Sequence, residues 1–526
     1  MSEAARVLVK EEIADAGVAL LRERFDVDVA VEMPADELSE RLRDYDALIV
    51  RSRTKVTGDL LEQAPRLKVI GRAGTGVDNV DVAAATRRGI IVANAPGSNM
   101  VSAAEHAVGL LLALARNIPQ AHSALREGRW ERSRFGGVEL YGKTLGVLGF
   151  GRIGQLVAAR ARGLGMKVLA YDPFVSPDRF RELQVSPATM EEVLAGSDFI
   201  TLHAPLTAET RGLICAETIA LMRPGVRIVN AARGGLVELD DLTDALEDGR
   251  VAGAALDVFP DEPYTEGRIF QLDNVVVTPH LGASTQEAQD RAGVIVAEQV
   301  AAALTGGLVS NAVNIPQVRS EEMEVLGPFL PLASRLGRLA AGLSTTGLER
   351  LEVTYAGALA ELDTRLLTAA VLAGAFAGHV DEPVNLVNAR TVAEGRGIRV
   401  SESAEQSGGD FTNLITVAAT PGDAVSGTTI GRDNRPWLIA VQPYQVEIEL
   451  DRYMLVMLND DRPGMIGAVG NLLGSEDVNI ANMNVSRNER GEAAAMVLSV
   501  DNELDGRVLD LLREVDGVRS VRFVAL

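Results

Sequence analysis

Residues 144–172 constrain the fold of this chain more than any other segment. A short apolar run, Thr144-Leu145-Gly146-Val147-Leu148, leads directly into Gly149-Phe150-Gly151-Arg152-Ile153-Gly154. A helical run over 155–164 follows, then a second apolar run, 167–171, that ends on Asp172. Strand, glycine turn, helix and strand in this order open a doubly wound, dinucleotide-binding sheet. Gly149 permits the tight turn, Gly151 lets backbone approach a pyrophosphate, and Gly154 lets the helix pack closely on the sheet. The first turn of the helix then offers unpaired N–H groups to the phosphates. Asp172 stands about 20 residues on, where a carboxylate accepts hydrogen bonds from an adenosine ribose. That favours NAD; the nearest arginine for the 2′-phosphate of NADP is Arg179.

With 526 residues the chain has room for about three or four domains, each with its own core. Lys plus Arg number 51 against 73 acids, a formal charge of −22, so the basic footprint of a general nucleic-acid binder is missing. The first residues, Met1-Ser2-Glu3-Ala4-Ala5-Arg6, enter a strand-like run without the apolar core and cleavage site of a signal peptide. No uninterrupted apolar run reaches membrane-spanning length, and the helical run 102–115 carries Glu105 and His106. The single cysteine, Cys215, has no intramolecular disulfide partner, and no His or Cys cluster has metal-ligand spacing. The expectation is a cytoplasmic, metal-free protein with neither nucleic acid nor membrane as partner.

Short apolar runs at 7–9, 27–31, 47–50, 67–70 and 90–92 alternate with amphipathic helices, a βα pattern that implies a parallel sheet. Further strands are expected at 199–202, 227–229, 253–256 and 275–277. The helical run 285–304 ends at Gly306-Gly307 and Asn314-Ile315-Pro316. We therefore expect two doubly wound α/β domains, a discontinuous one made of 1–98 and 285–315 with a dinucleotide-binding one, 99–284, inserted in it. Residues 316–450 carry no chemical motif, although 329–343 reads as helix and 425–430 as strand. The tail, 451–526, has a β-α-β-β-α-β pattern that suggests a ferredoxin-like fold.

Ligands in open α/β sheets sit beyond the carboxyl ends of the strands. There the sequence places Arg51, Arg72 and Arg233, then Asp257 with Glu262 five residues on, and His280. Three such arginines in an acidic chain suggest an anionic substrate. Hydride transfer from a secondary alcohol needs a base for the hydroxyl proton and a cation to hold a neighbouring carboxylate. His280 suits the base, Glu262 can fix its tautomer, and Arg233 can clamp the carboxylate. Among the other histidines, His106 reads as a core or interface residue, His122 and His379 have no acidic or glycine context, and His203 ends a strand where it can line the cofactor site without moving a proton.

These blocks, with Arg72-Ala73-Gly74-Thr75-Gly76-Val77-Asp78-Asn79, Asn230-Ala231-Ala232-Arg233-Gly234-Gly235 and Pro279-His280-Leu281-Gly282-Ala283-Ser284-Thr285, resemble the D-isomer-specific 2-hydroxyacid dehydrogenases. The likeness is greatest to the long, phosphoglycerate-oxidising branch of that family. It implies Arg233, Glu262 and His280 as the catalytic set. For NAD it implies Thr75, Gly149, Gly151, Arg152, Ile153, Gly154, Asp172, Ala231, Ala232, Asp257, Leu281, Gly282 and Ala283. Arg51, Ser52 and Arg72 match positions that bind the substrate's anionic groups, and Arg132 resembles an arginine offered by a neighbouring subunit of a homo-oligomer, expected to be a tetramer. The implied substrate pair is 3-phospho-D-glycerate and 3-phosphohydroxypyruvate, in the first step of L-serine biosynthesis. The branch also has an α+β intervening domain and a terminal amino-acid-binding ACT domain, which 316–450 and 451–526 resemble. Asp461, before Arg462-Pro463-Gly464, and Asn479 are then expected to bind L-serine as a regulatory effector; the alternative readings are a turn former or helix cap for Asp461 and a loop residue for Asn479. Two rivals are a glyoxylate or hydroxypyruvate reductase, and a nucleotide-sensing protein without turnover, against which Arg233, Glu262 and His280 speak.

Overall fold

The computed structural model describes residues 4–307, 309–344, 347–380, 383–487 and 492–526; Met1-Ser2-Glu3, part of the expected first domain, lies outside them. Five short parallel strands form the first sheet in the order Asp26–Val29, Arg6–Val9, Ala47–Val50, Val69–Arg72, Ile91–Asn94. Ala47–Val50 is buried along its whole length, as a parallel strand covered by helices on both faces should be. The order of strands reverses between Arg6–Val9 and Ala47–Val50, so a crevice opens beyond their carboxyl ends, where Glu11 and Arg51 emerge.

Helix Gln286–Leu304 returns from far along the chain to pack on helix Asp15–Arg22 and strand Val69–Arg72. The helices touch through backbone: a Cβ on Gly17 would lie 2.7 Å from the Gly293 carbonyl oxygen. Beyond it, Val313 N donates to Val92 O at 2.7 Å and Val92 N donates to Asn314 Oδ1 at 2.9 Å. This segment covers the sheet edge that Ile91–Asn94 would otherwise expose.

The second sheet has seven parallel strands in the order Val275–Val277, Val251–Leu256, Val226–Asn230, Phe199–Leu202, Thr144–Leu148, Lys167–Tyr171, Ser186–Pro187. Helix Met100–Arg116 packs on helix Arg152–Gly163 and on this sheet. The two connections between the sheets run side by side, tied by the Ser102 and Thr285 hydroxyls at 2.8 Å and by Arg291 Nε donating to Ser98 O at 2.9 Å.

A six-stranded mixed sheet follows, in the order Arg399–Glu405, Arg350–Gly357, Asn413–Thr420, Ala424–Ile430, Arg435–Val441, Tyr444–Glu449. The tail forms a four-stranded antiparallel sheet, Ile480–Arg487, Ala493–Val500, Tyr453–Asp460, Val518–Ala525, with helices Met465–Ser475 and Gly506–Glu514. Side chains alternate between its faces. Leu455, Met457, Met496 and Leu498 form one core with the tail's own helices, whereas Met454, Val456, Val497 and Val524 join the core around helix Phe329–Leu343. The two doubly wound sheets, the α+β region and the ferredoxin-like tail are all present, and the tail is built into its neighbour rather than hung from it.

Candidate active site

The three glycines of the fingerprint stand in three different environments. Gly149 has φ 93°, and a Cβ there would lie 2.5 Å from Ala204 N; one on Gly154 would lie 2.2 Å from Gly149 O; one on Gly151 would meet nothing within 4 Å. The space above Gly151 opens at the N-terminus of helix Arg152–Gly163, where Arg152 and Ile153 begin the first turn. That cradle fits a pyrophosphate. Asp172 is pinned at the lip of the same crevice: Phe150 N donates to Oδ2 at 2.8 Å and Phe174 N to Oδ1 at 2.9 Å. Arg179, the nearest arginine, is engaged by Glu182 at 2.8 Å and by Gln155 Oε1 at 3.1 Å.

Other expected cofactor positions are set by buried amides. Fully buried Asn230 donates to Arg233 O at 2.9 Å and accepts from Ala232 N at 3.1 Å, which folds Ala231 and Ala232 over the end of their strand. The Thr75 hydroxyl donates to Asn99 Oδ1 at 2.8 Å. His203 is tied to Thr201 Oγ1 at 2.9 Å, and burial pulls its imidazole down to about 4, so it is neutral at neutral pH and suited to lining the crevice.

Between the carboxyl ends of the two sheets lies a cleft of about 860 Å³ whose walls include Arg51, Ser52, Arg72, Glu262, His280 and Ala283. His280 Nδ1 and Glu262 Oε2 are 2.6 Å apart, and Phe259 N donates to Glu262 Oε1 at 3.0 Å. Burial raises the Glu262 carboxyl, but the bonds from His280 and Phe259 outweigh it and hold the group below its ordinary range. A carboxylate can only accept, so the imidazole proton sits on Nδ1 and the Nε2 lone pair is left for a substrate proton.

Cations gather at the same cleft: Arg51 and Arg72 line it, and Arg233 lies beside Asp78, which lines it too. Arg233 Nε meets Asp78 Oδ2 at 3.2 Å, and its Nη1 donates to Ala232 O at 2.7 Å. Burial and the nearby Arg233 both pull Arg72 below the ordinary arginine value, and its buried Nε has no hydrogen-bond partner. Arg72 itself forms part of the cleft wall, so its charge is presented to an anion there. Arg51 is presented by a loop wound round Glu11. That carboxylate accepts from the backbone N–H groups of Arg51, Arg53 and Thr54 at 3.0, 3.3 and 2.9 Å, while Asn79 Nδ2 donates to Arg51 O at 2.8 Å and Thr54 O at 2.7 Å. Burial raises Glu11, yet these bonds keep it below the ordinary range.

Asp257, expected to touch the cofactor, is 0% exposed. Its carboxylate accepts from Thr278 Oγ1 at 2.6 Å, Leu281 N at 2.7 Å and Gly282 N at 2.8 Å, which shapes the His280–Ala283 turn from within. His106, read from the sequence as a core or interface residue, lies against this carboxylate, with Nε2 3.0 Å from Oδ1. Neither Glu11 nor His106 was singled out as a site residue. Glu11 stands two residues after the first strand and could have been found by the rule that found Arg51; His106 had no local signal. Arg132 is exposed and does not line its own chain's cleft. In the tail, Asp461 Oδ2 pairs with Arg487 at 3.3 Å and Asn479 Nδ2 donates to Asp501 at 2.7 Å. Among the described residues no cluster of His, Cys, Asp and Glu could hold a metal ion, and no helix is long and apolar enough to cross a membrane.

Two doubly wound sheets, a pyrophosphate cradle, and a His–Glu pair sharing the intervening cleft with arginines define the NAD-dependent D-isomer-specific 2-hydroxyacid dehydrogenase class. Residues 108–282 match the D-isomer specific 2-hydroxyacid dehydrogenase NAD binding domain, 325–442 the D-3-phosphoglycerate dehydrogenase intervening domain, and 453–517 the ACT domain. The D-3-phosphoglycerate dehydrogenase of Methanocaldococcus jannaschii is 42% identical over 524 residues, 99% of this chain and 100% of that one. Its Bacillus subtilis counterpart is 40% identical over 525 residues, 99% of each. Among solved structures, the D-lactate dehydrogenase of Aquifex aeolicus, complexed with NAD and lactic acid, matches 59% of this chain and 100% of its own at 29% identity and a TM-score of 0.52. The chain belongs to the D-3-phosphoglycerate dehydrogenase family, in its long form with intervening and ACT domains.

Proposed function

We propose that the protein oxidises 3-phospho-D-glycerate to 3-phosphohydroxypyruvate with NAD, the first step of L-serine biosynthesis. The observation that carries this reading is that Arg51 and Arg72 line the same cleft as the hydrogen-bonded His280–Glu262 pair. One wall takes the phosphate through Arg51, Ser52 and Arg72, and Arg233 takes the carboxylate. His280 Nε2 then meets the C2 hydroxyl. The bound NAD supplies the hydride acceptor. As the C2–H electron pair leaves, His280 takes the hydroxyl proton, and Glu262 stabilises the imidazolium at Nδ1. The proton later passes to solvent, and the ketone and NADH leave.

Arg132 completes the site of a neighbouring subunit in a homo-oligomer, and the solvent-facing Trp130 beside it, 82% exposed, supports that placement. The ACT domain takes L-serine near Asp461 and Asn479, and binding there inhibits by favouring a less active arrangement of subunits. Arg72→Ala tests the phosphate assignment. It should raise the Michaelis constant for 3-phospho-D-glycerate about 10- to 100-fold and leave that for D-glycerate nearly unchanged. Equal losses on the two substrates would sink the assignment.

A further inference from the structure

We infer that His106 is a positioning residue for the reaction: from helix Met100–Arg116 it holds the buried Asp257 carboxylate, and through it the turn that aims His280. The inference rests on His280 being the base, and the experiment below separates the two.

His280 has φ 56°, the left-handed region, which a residue with a Cβ enters only when its surroundings hold it there. Its side chain is tied to Glu262, but the ties on its backbone run through Asp257 or the residues Asp257 binds. His280 N donates to Asp257 O at 2.8 Å and to Thr278 O at 3.0 Å. Leu281 N and Gly282 N donate to Asp257 Oδ1 and Oδ2, and the Thr278 hydroxyl donates to Oδ1. One buried carboxylate therefore grips residues on both sides of His280.

A buried carboxylate keeps its orientation only while donors surround it. Three of its donors belong to the turn itself. The fourth, His106 Nε2 at 3.0 Å, comes from a different element and anchors the carboxylate to the rest of the domain. Burial works against the charge on Asp257, and the bonds from His106, Thr278 and Leu281 outweigh it. The direction of the bond is fixed by chemistry. Asp257 can only accept, and Thr278 already gives its proton to Asp257, so the 3.2 Å contact of His106 Nε2 with Thr278 Oγ1 is a donation too. His106 must carry a proton on Nε2, and a side chain of similar reach with one N–H donor can replace it.

The test uses the full chain with His106→Leu, which fills the space without a donor, His106→Gln, which keeps one, and His280→Ala. Amide exchange of residues 278–284 reads the turn; kcat and NADH affinity read the chemistry. In His106→Leu the turn should exchange about tenfold faster or more. Its kcat should fall about 10²-fold, with weaker NADH binding because the expected cofactor contacts Leu281, Gly282 and Ala283 share the turn, and His106→Gln should recover most of these losses. If His106→Leu does not fold, His106→Asn, whose shorter amide falls short of Asp257, takes its place with the same outcomes. Wild-type exchange in the donorless variant overturns the inference, as does a His106→Gln protein no better than it. Normal turnover by His280→Ala would instead remove the base, with the exchange data still deciding whether His106 holds the turn.

Discussion

Asp257 and Glu11 show how the proposed site side chains depend on buried acids that hold their loops. Each is a buried acid that accepts backbone N–H groups of one loop, and each loop carries a site side chain, His280 in one case and Arg51 in the other. Both carboxyls lie below their ordinary range when folded. Their contribution to stability is therefore complete above the unfolded carboxyl value and is lost as pH falls through the lower folded value. Asp257→Asn should cost about 3 kcal/mol at neutral pH, and its deficit against the wild type should shrink below about pH 4. Denaturant titrations at both pH values would show this, and a pH-independent deficit would contradict it. For His280→Ala we expect turnover to fall about 10²- to 10⁴-fold with NADH binding retained, since Asp172 and the glycine cradle are untouched. Turnover near that of the wild type would remove His280 as the base.

The strand–turn–helix unit around Gly149 was legible because each glycine answers a separate local demand. Gly154→Ala forces a methyl against Gly149 O, where its Cβ would lie at 2.2 Å. We expect a loss of about 1–3 kcal/mol and weaker NAD binding, measured by thermal unfolding with and without NADH; an unchanged response to NADH would contradict the cradle. The parallel strands could also be read, since burial on both faces leaves continuous apolar runs such as Ala47–Val50. Arg399–Glu405 could not: it is an edge strand, exposed at nearly every position, so nothing in its composition marks it as strand. The unread part of the site has a different cause. Arg51, Arg233 and His280 follow strands, where position alone signals function. Glu11 and His106 act through contacts with distant segments, Glu11 with residues 51–54 and His106 with Asp257, and no local pattern records such contacts.

At the scale of the molecule, the tail shares a core with helix Phe329–Leu343 through Met454, Val456, Val497 and Val524. Cutting the chain before Tyr453 would strip that core, so the proposed serine site is better tested in the full chain. Asn479→Ala should weaken or abolish L-serine binding in calorimetry while leaving catalysis without serine intact; equal binding by both proteins, or none by the wild type, would place the effector elsewhere. Regulation matters only if the cleft does the chemistry assigned to it. The most direct measurement is NADH formation by the full chain with NAD and, separately, 3-phospho-D-glycerate, D-glycerate and D-lactate. We predict that kcat/KM for the phosphorylated acid exceeds the others by about 10⁴-fold, because Arg51 and Arg72 together lose their anionic partner with any substrate that lacks a phosphate. Comparable or faster oxidation of D-glycerate or D-lactate would contradict it.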